Sequence, residues 1–150
     1  MREKLTTRSE AETIEIAQNI AQEAFANMVI CLEGDLGSGK TVFTKGFAHA
    51  LGIEEHITSP TFNIIKEYKS GEFPLYHMDV YRLDGVVDNL GLEEYFNKGG
   101  ITIIEWSDLI KDHLPKERLD IKIRILDENS RILIFVPHGS KYEAICEAAL

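Results

Sequence analysis

Residues 34–41 read Gly34-Asp35-Leu36-Gly37-Ser38-Gly39-Lys40-Thr41, a glycine-rich turn with a lysine and a hydroxyl directly behind it. Such a stretch can cradle the phosphates of a nucleotide. Gly34, Gly37 and Gly39 let the backbone bend until consecutive amides face one point, where a side chain would block the approach. A helix beginning at Lys40 would add its dipole to the pull of those amides on an anion. Lys40 then supplies a mobile positive charge for the β and γ phosphates, and the Thr41 hydroxyl stands where magnesium is ligated.

Phosphate chemistry also calls for an acid that holds the metal or orients an attacking water. Glu105 closes Ile101-Thr102-Ile103-Ile104-Glu105, which places a carboxylate at the carboxyl end of a buried strand, where open sheets bind ligands. Asp79 closes the less apolar Leu75-Tyr76-His77-Met78-Asp79. Both are candidates near the metal. The competing reading is a surface carboxylate at a strand end, paired with Arg82 in the case of Asp79. Ser59-Pro60-Thr61-Phe62 lies where nucleotide switches place a hydroxyl that senses the γ-phosphate, although a plain turn before a strand explains it as well. His77 would share a strand face with Asp79, and packing is its ordinary role. Trp106, next to Glu105, is by default a core anchor, with partner contact as the alternative.

The elements that must carry these residues follow from periodicity. Ser9 and Glu12 match a capping box, and Ile14, Ala17, Ala21, Ala24 and Phe25 recur at helical spacing, so a helix is expected over about 9–26. Residues 28–33 form a short apolar run ended by Gly34, a buried strand. Val42, Phe43, Phe47, Ala50 and Leu51 outline a second helix closed by Gly52. Strand, glycine loop and helix therefore follow in the order that a phosphate loop requires. Residues 61–68 and 73–83 read as strands, 90–97 as a short helix, 101–105 as a buried strand, and 107–114 as a short helix capped by Ser107-Asp108. Leu119, Ile121, Ile123 and Ile125 alternate with polar residues, and Ile132, Ile134 and Val136 repeat the alternation after the polar turn 127–130. This is an antiparallel hairpin with one solvated face. A helix is expected from about Ser140.

The chain has 150 residues, 44% of them hydrophobic, enough to bury the core of one domain without disulfides or metals. Its net charge of −9 argues against a broad basic face for gripping nucleic acid. Cys31 and Cys146 show no metal-ligand spacing, and with no long apolar segment or signal peptide the reading is a cytoplasmic protein with two free thiols and no membrane contact. ATP is favoured over GTP, because Asn97-Lys98-Gly99-Gly100 lacks the aspartate of the usual guanine motif. A free-standing small-molecule kinase is the alternative function. It is weakened by the scatter of Arg82, Arg118, Arg124 and Arg131, which form no compact lid over a transferring phosphate. A module that holds ATP without useful turnover is a third reading.

Taken in order and at these separations, GDLGSGKT, SPTF, HMDVYRL and IEW closely resemble the TsaE family of bacterial P-loop ATPases, which serve the pathway that installs threonylcarbamoyl on adenosine-37 of tRNA. The resemblance spans nearly the whole chain. It implies a three-layer α/β, P-loop NTPase-like fold, one domain over 1–150, with the central sheet parallel in its core and antiparallel at its edges. It implies that Asp35, Leu36, Gly37, Ser38, Gly39 and Lys40 hold the phosphates of ATP or ADP, that Thr41 and Glu105 surround Mg2+, that Asp79 is an acid near the metal needed for hydrolysis, and that Thr61 belongs to a switch-like loop. Trp106 would sit beside the site. Thr6 and Arg131 become candidates for the adenine pocket. The implied partners are TsaD and TsaB, with tRNA met only through that complex, which ATP hydrolysis would reset between turnovers.

Overall fold

The structure, a computed structural model, describes residues 2–60, 64–81 and 91–150. Its frame is a seven-stranded sheet in the order β1-β7-β6-β2-β5-β4-β3. The strands are β1 (Glu3–Thr7), β2 (Val29–Glu33), β3 (Ile65–Tyr68), β4 (Leu75–Asp79), β5 (Ile101–Glu105), β6 (Arg118–Ile125) and β7 (Arg131–His138). The helices are α1 (Glu10–Ala21), α2 (Lys40–Ala50) and α3 (Ser140–Ala149), with 3-10 helices at Leu92–Asn97 and Ser107–His113. Strands β6, β2, β5 and β4 run parallel, while β1, β7 and β3 are joined antiparallel at the two edges. The expected mixed α/β architecture, parallel inside and antiparallel outside, is what the chain forms.

Alternation sorts the strand residues between two cores. Ile30, Leu32, Ile103, Leu119 and Ile121 face α1, α2 and α3, where Ile20, Phe43, Phe47 and Ile145 meet them. Val29, Cys31, Met78 and Ile104 face the other way, onto Leu92, Phe96 and Ile110 of the 3-10 helices. Residues buried on both faces explain why 28–33 and 101–105 read as unbroken apolar runs. Two side chains lock the layers together. The Tyr142 hydroxyl of α3 accepts from Val29 N at 2.9 Å, and Glu33 accepts from Ser107 Oγ at 2.6 Å and Asp108 N at 2.8 Å.

Several expected boundaries move for identifiable reasons. Ser9 caps α1 as expected, accepting from Glu12 N at 3.2 Å, but the helix stops at Ala21 because the chain tightens into turns, Glu23 N to Ile20 O and Ala24 N to Ala21 O. Ala24 and Phe25 still pack on the core from beyond its end. Gly52 closes α2 with φ +83° as expected. The amino-terminal arm is a strand, β1, paired with β7. Strand β3 begins late because Ile64 sits at φ 65° in a turn whose amide bonds Pro60 O. The expected strand beyond Asp79 ends there: Tyr81 N donates to Asp79 Oδ1 at 3.0 Å, and Arg82 and Leu83 lie outside the described residues. Ser107 does not cap the second 3-10 helix, since its hydroxyl is spent on Glu33 and Trp106 holds the cap position at φ 63°. In β7 the core-facing set is Leu133 and Phe135, opposite Ile123 and Ile121, one residue out of step with the expected Ile132, Ile134 and Val136. An apolar run longer than one alternation does not fix its own register.

Candidate active site

Three neighbouring parallel strands end side by side, and each delivers one part of the site. β2 runs into residues 34–39 and then α2, Leu32 is level with Glu105 on β5, and Glu105 is level with Asp79 on β4. Residues 36–41, both carboxylates, Ser59 and Trp106 line one cavity of about 650 Å³, while Asp35 does not line it; the size suits a nucleotide-like ligand. The sequence-derived candidates Lys40, Thr41, Asp79 and Glu105 are thus brought together.

The loop is built as its glycines require. A Cβ on Gly34 would lie 2.5 Å from Ser38 Oγ and 2.7 Å from Ile123 O, so no other residue fits there. Gly39 caps α2 at φ 109°, a conformation that glycine adopts without strain. Ser38 N bonds Asp35 O at 3.0 Å, and Phe43 N is the first amide of α2 to bond back, to Gly39 O. The amides of Gly39, Lys40 and Thr41 have no hydrogen-bond partner among the described residues. Free amides at a helix start, with the dipole behind them, form an anion site. Asp35 and Leu36 are at the exposed tip, Leu36 being 87% exposed while still lining the cavity.

Lys40 is buried, with Nζ 2.7 Å from Gly34 O and 3.9 Å from the centroid of the Trp106 ring. Burial lowers its pKa, and the nearby Glu105, Asp79, Glu33 and Asp35 carboxylates pull it partly back up. The ammonium is therefore under-solvated and would gain from a phosphate oxygen. Trp106 adopts a left-handed backbone, packs its ring against Tyr81 at 4.8 Å, and joins the second core. It serves as anchor and cavity wall at once.

Glu105 and Asp79 are 3% and 8% exposed. His77, wholly buried, places Nε2 2.6 Å from Glu105 Oε2. Thr41, Asp79 and Glu105 offer oxygen donors alone, which suits magnesium. Among the described residues no three histidine, cysteine, aspartate or glutamate side chains come together as a metal site, so an ion held here would need oxygen donors beyond the two carboxylates.

Arg131 reaches the cavity wall, but its guanidinium is occupied: Nε donates to Ser38 O at 2.9 Å, Nη2 to Gly37 O at 3.1 Å, and Nη1 to Asp127 O and Ser130 O at 2.9 Å each. Thr6 is exposed on β1 and does not line the cavity, whereas its neighbour Thr7 bonds Thr13, which does. Thr61 lies outside the described residues. Ser9, Glu10 and Thr13 of α1 and Glu128 and Asn129 of the hairpin turn complete the wall. The sequence marks the first group only as a cap and the second only as a turn. The β6–β2 pairing brings the hairpin turn to the loop and the β1–β7 pairing brings the start of α1 there, and neither segment carries a signal for its distant partner.

The family model for "Threonylcarbamoyl adenosine biosynthesis protein TsaE" matches residues 7–133. A Bacillus subtilis protein named tRNA threonylcarbamoyladenosine biosynthesis protein TsaE is 49% identical over 144 residues, 96% of this chain and 91% of that protein. A Rickettsia felis protein of the same name is 38% identical over 94% of this chain and 84% of its own length. The crystal structure of Bacillus subtilis YdiB matches with a TM-score of 0.87 at 46% identity, covering 98% of this chain and 93% of that one.

Proposed function

The chain belongs to the TsaE family of tRNA threonylcarbamoyladenosine biosynthesis, and we propose that within this pathway it is a cytoplasmic ATPase of P-loop NTPase type whose nucleotide state resets a TsaD–TsaB complex. The observation that carries this reading is the meeting of the 34–41 loop, Glu105 and Asp79 at three adjacent strand ends around one cavity. Among the described residues the arginine at the cavity wall is Arg131, and it already spends its donors on backbone carbonyls, which does not suit a lid that closes over a transferring phosphate.

In this reading the free amides of Gly39, Lys40 and Thr41 hold the β and γ phosphates, and the Lys40 ammonium leaves Gly34 O to bridge them. Magnesium, when bound, neutralises charge on the phosphates, with Thr41, Glu105 and Asp79 as its protein donors. One of the two carboxylates orients a water in line with the γ-phosphate. Water oxygen bonds to phosphorus, the bond to the β-γ bridging oxygen breaks, and ADP, inorganic phosphate and a proton are released. Little covalent work falls to the protein, so positioning and charge carry the rate. TsaD and TsaB would read the nucleotide state through the rim formed by the exposed Leu36 and Tyr81.

Phosphate release from ATP tests the proposal. Slow release by the chain alone that rises on addition of TsaD and TsaB is expected. Stoichiometric transfer of phosphate to a metabolite would replace it with the kinase reading, and full tRNA modification by Glu105→Ala or Asp79→Ala would favour a module that binds ATP without needing to split it.

A further inference from the structure

His77 is 0% exposed, stands level with Ile103 of β5, and shares a face with Asp79 and Glu105. The neighbours it meets on that face, Leu75, Ile101 and Ile103, are apolar and fully buried. A leucine would fill such a position without the cost of burying an imidazole, so packing does not account for the residue. Its directed contact does: Nε2 lies 2.6 Å from Glu105 Oε2. Nδ1 has no hydrogen-bond partner among the described residues. One proton on Nε2, donated to the carboxylate, makes the bond and leaves Nδ1 a bare acceptor.

We infer that His77 is a positioning residue: it pins Oε2 of Glu105 and so fixes the plane of that carboxylate, leaving Oε1 for the metal or water in the cavity that Glu105 lines. The inference rests on the hydrolytic role proposed for Glu105 and deepens it. The imidazole touches no reacting atom. Partners behind a ligand of this kind set its orientation, and their removal costs about 10-fold to 100-fold in activity or metal affinity.

The test is steady-state hydrolysis in the complex with TsaD and TsaB, across ATP and magnesium concentrations. His77→Leu should lower kcat by about 10-fold to 100-fold and raise the magnesium needed for half-maximal rate, with KM for ATP within about threefold, because the loop and not Glu105 grips the phosphates. In a Glu105→Ala background the same substitution should cost nothing further, since it acts through a carboxylate that is gone. Unchanged kcat in His77→Leu, or costs that simply add in the double variant, would overturn the inference while leaving the ATPase reading intact. A wild-type protein that releases no phosphate would overturn both. If His77→Leu fails to fold, His77→Gln and His77→Asn carry the test. The glutamine amide reaches the Nε2 position and should keep kcat within about fivefold, the asparagine amide stops short and should not, and equal turnover in the two would refute positioning.

Discussion

Arg131→Ala separates two accounts of a residue that the family resemblance places near a base and the structure places behind the phosphate loop. Its Nε and Nη2 hold Ser38 O and Gly37 O at 2.9 and 3.1 Å. In a trans peptide the carbonyl and the next amide point in opposite directions, so pinning Ser38 O toward Arg131 turns Gly39 N–H away from it, into the cradle. Removing the guanidinium deletes two charge-assisted bonds to the loop. Both are partly exposed to solvent, so each is worth about 0.5–1.5 kcal/mol rather than the buried figure. The loop then gives up about 1–3 kcal/mol of preorganisation, which at 1.4 kcal/mol per decade is about 5-fold to 150-fold in affinity. The hairpin turn itself should survive, because Asp127 Oδ1 still accepts from Asn129 N and Ser130 N. Calorimetric titration with ATP and with inorganic tripolyphosphate, each with magnesium, reads the result. If Arg131 braces the loop, both ligands weaken by the same factor, and Arg131→Lys, with no fork to bridge two carbonyls, behaves like the alanine variant. ATP weakened alone, with tripolyphosphate unchanged, would refute the brace and return Arg131 to the base.

Lys40→Met should abolish ATP binding in calorimetry yet stabilise the free protein in urea denaturation. Burial depresses the Lys40 pKa, so its charge disfavours the folded state wherever it is protonated in both states. That penalty fades as pH rises through the folded pKa toward the unfolded one, so the gain from methionine should shrink in the alkaline range, and a variant less stable at neutral pH would contradict this. Gly46→Leu should cost about 2–3 kcal/mol in the same assay, because a Cβ there already meets the Cα and O of Ile14 at 3.0 Å, backbone atoms that cannot step aside. An unchanged midpoint would count against the close α1–α2 contact. Neither thiol should react with a thiol reagent at pH 8 until urea is added: burial pushes the Cys31 thiol far up and the Cys146 thiol to about 11, and rapid native labelling of Cys31 would contradict its burial in β2.

The parallel core was legible because its strands are buried on both faces and read as apolar runs, and because a phosphate loop demands a strand before it and a helix after it. Lys40, Thr41, Asp79 and Glu105 were legible for the same reason, each standing at an element end whose nature the neighbouring residues announce. What stayed hidden depends on distant partners. Glu3–Thr7 has little strand character of its own and becomes β1 only through β7. That pairing also puts Thr7 rather than Thr6 behind the cavity, a one-residue difference that reverses a strand face. The left-handed Trp106 is held by its amide's bond to Leu32 O at 3.3 Å and by Tyr81, and nothing in Glu105-Trp106-Ser107 calls for it. His77 and Asp79 were correctly set on one face, but a diagonal reach across to Glu105 needs the β4–β5 register, which no single strand encodes.

Multiple-turnover tRNA modification tests the proposed role most directly. Purified TsaD, TsaB and the enzyme that makes threonylcarbamoyl-adenylate would be supplied with tRNA and ATP, with this chain, without it, or with its Lys40→Ala variant, and modified adenosine counted per TsaD. Repeated turnovers with the wild-type chain, and stalling after about one round in the other two reactions, are expected if hydrolysis at this site resets the complex. Equal numbers of turnovers in all three reactions would contradict it.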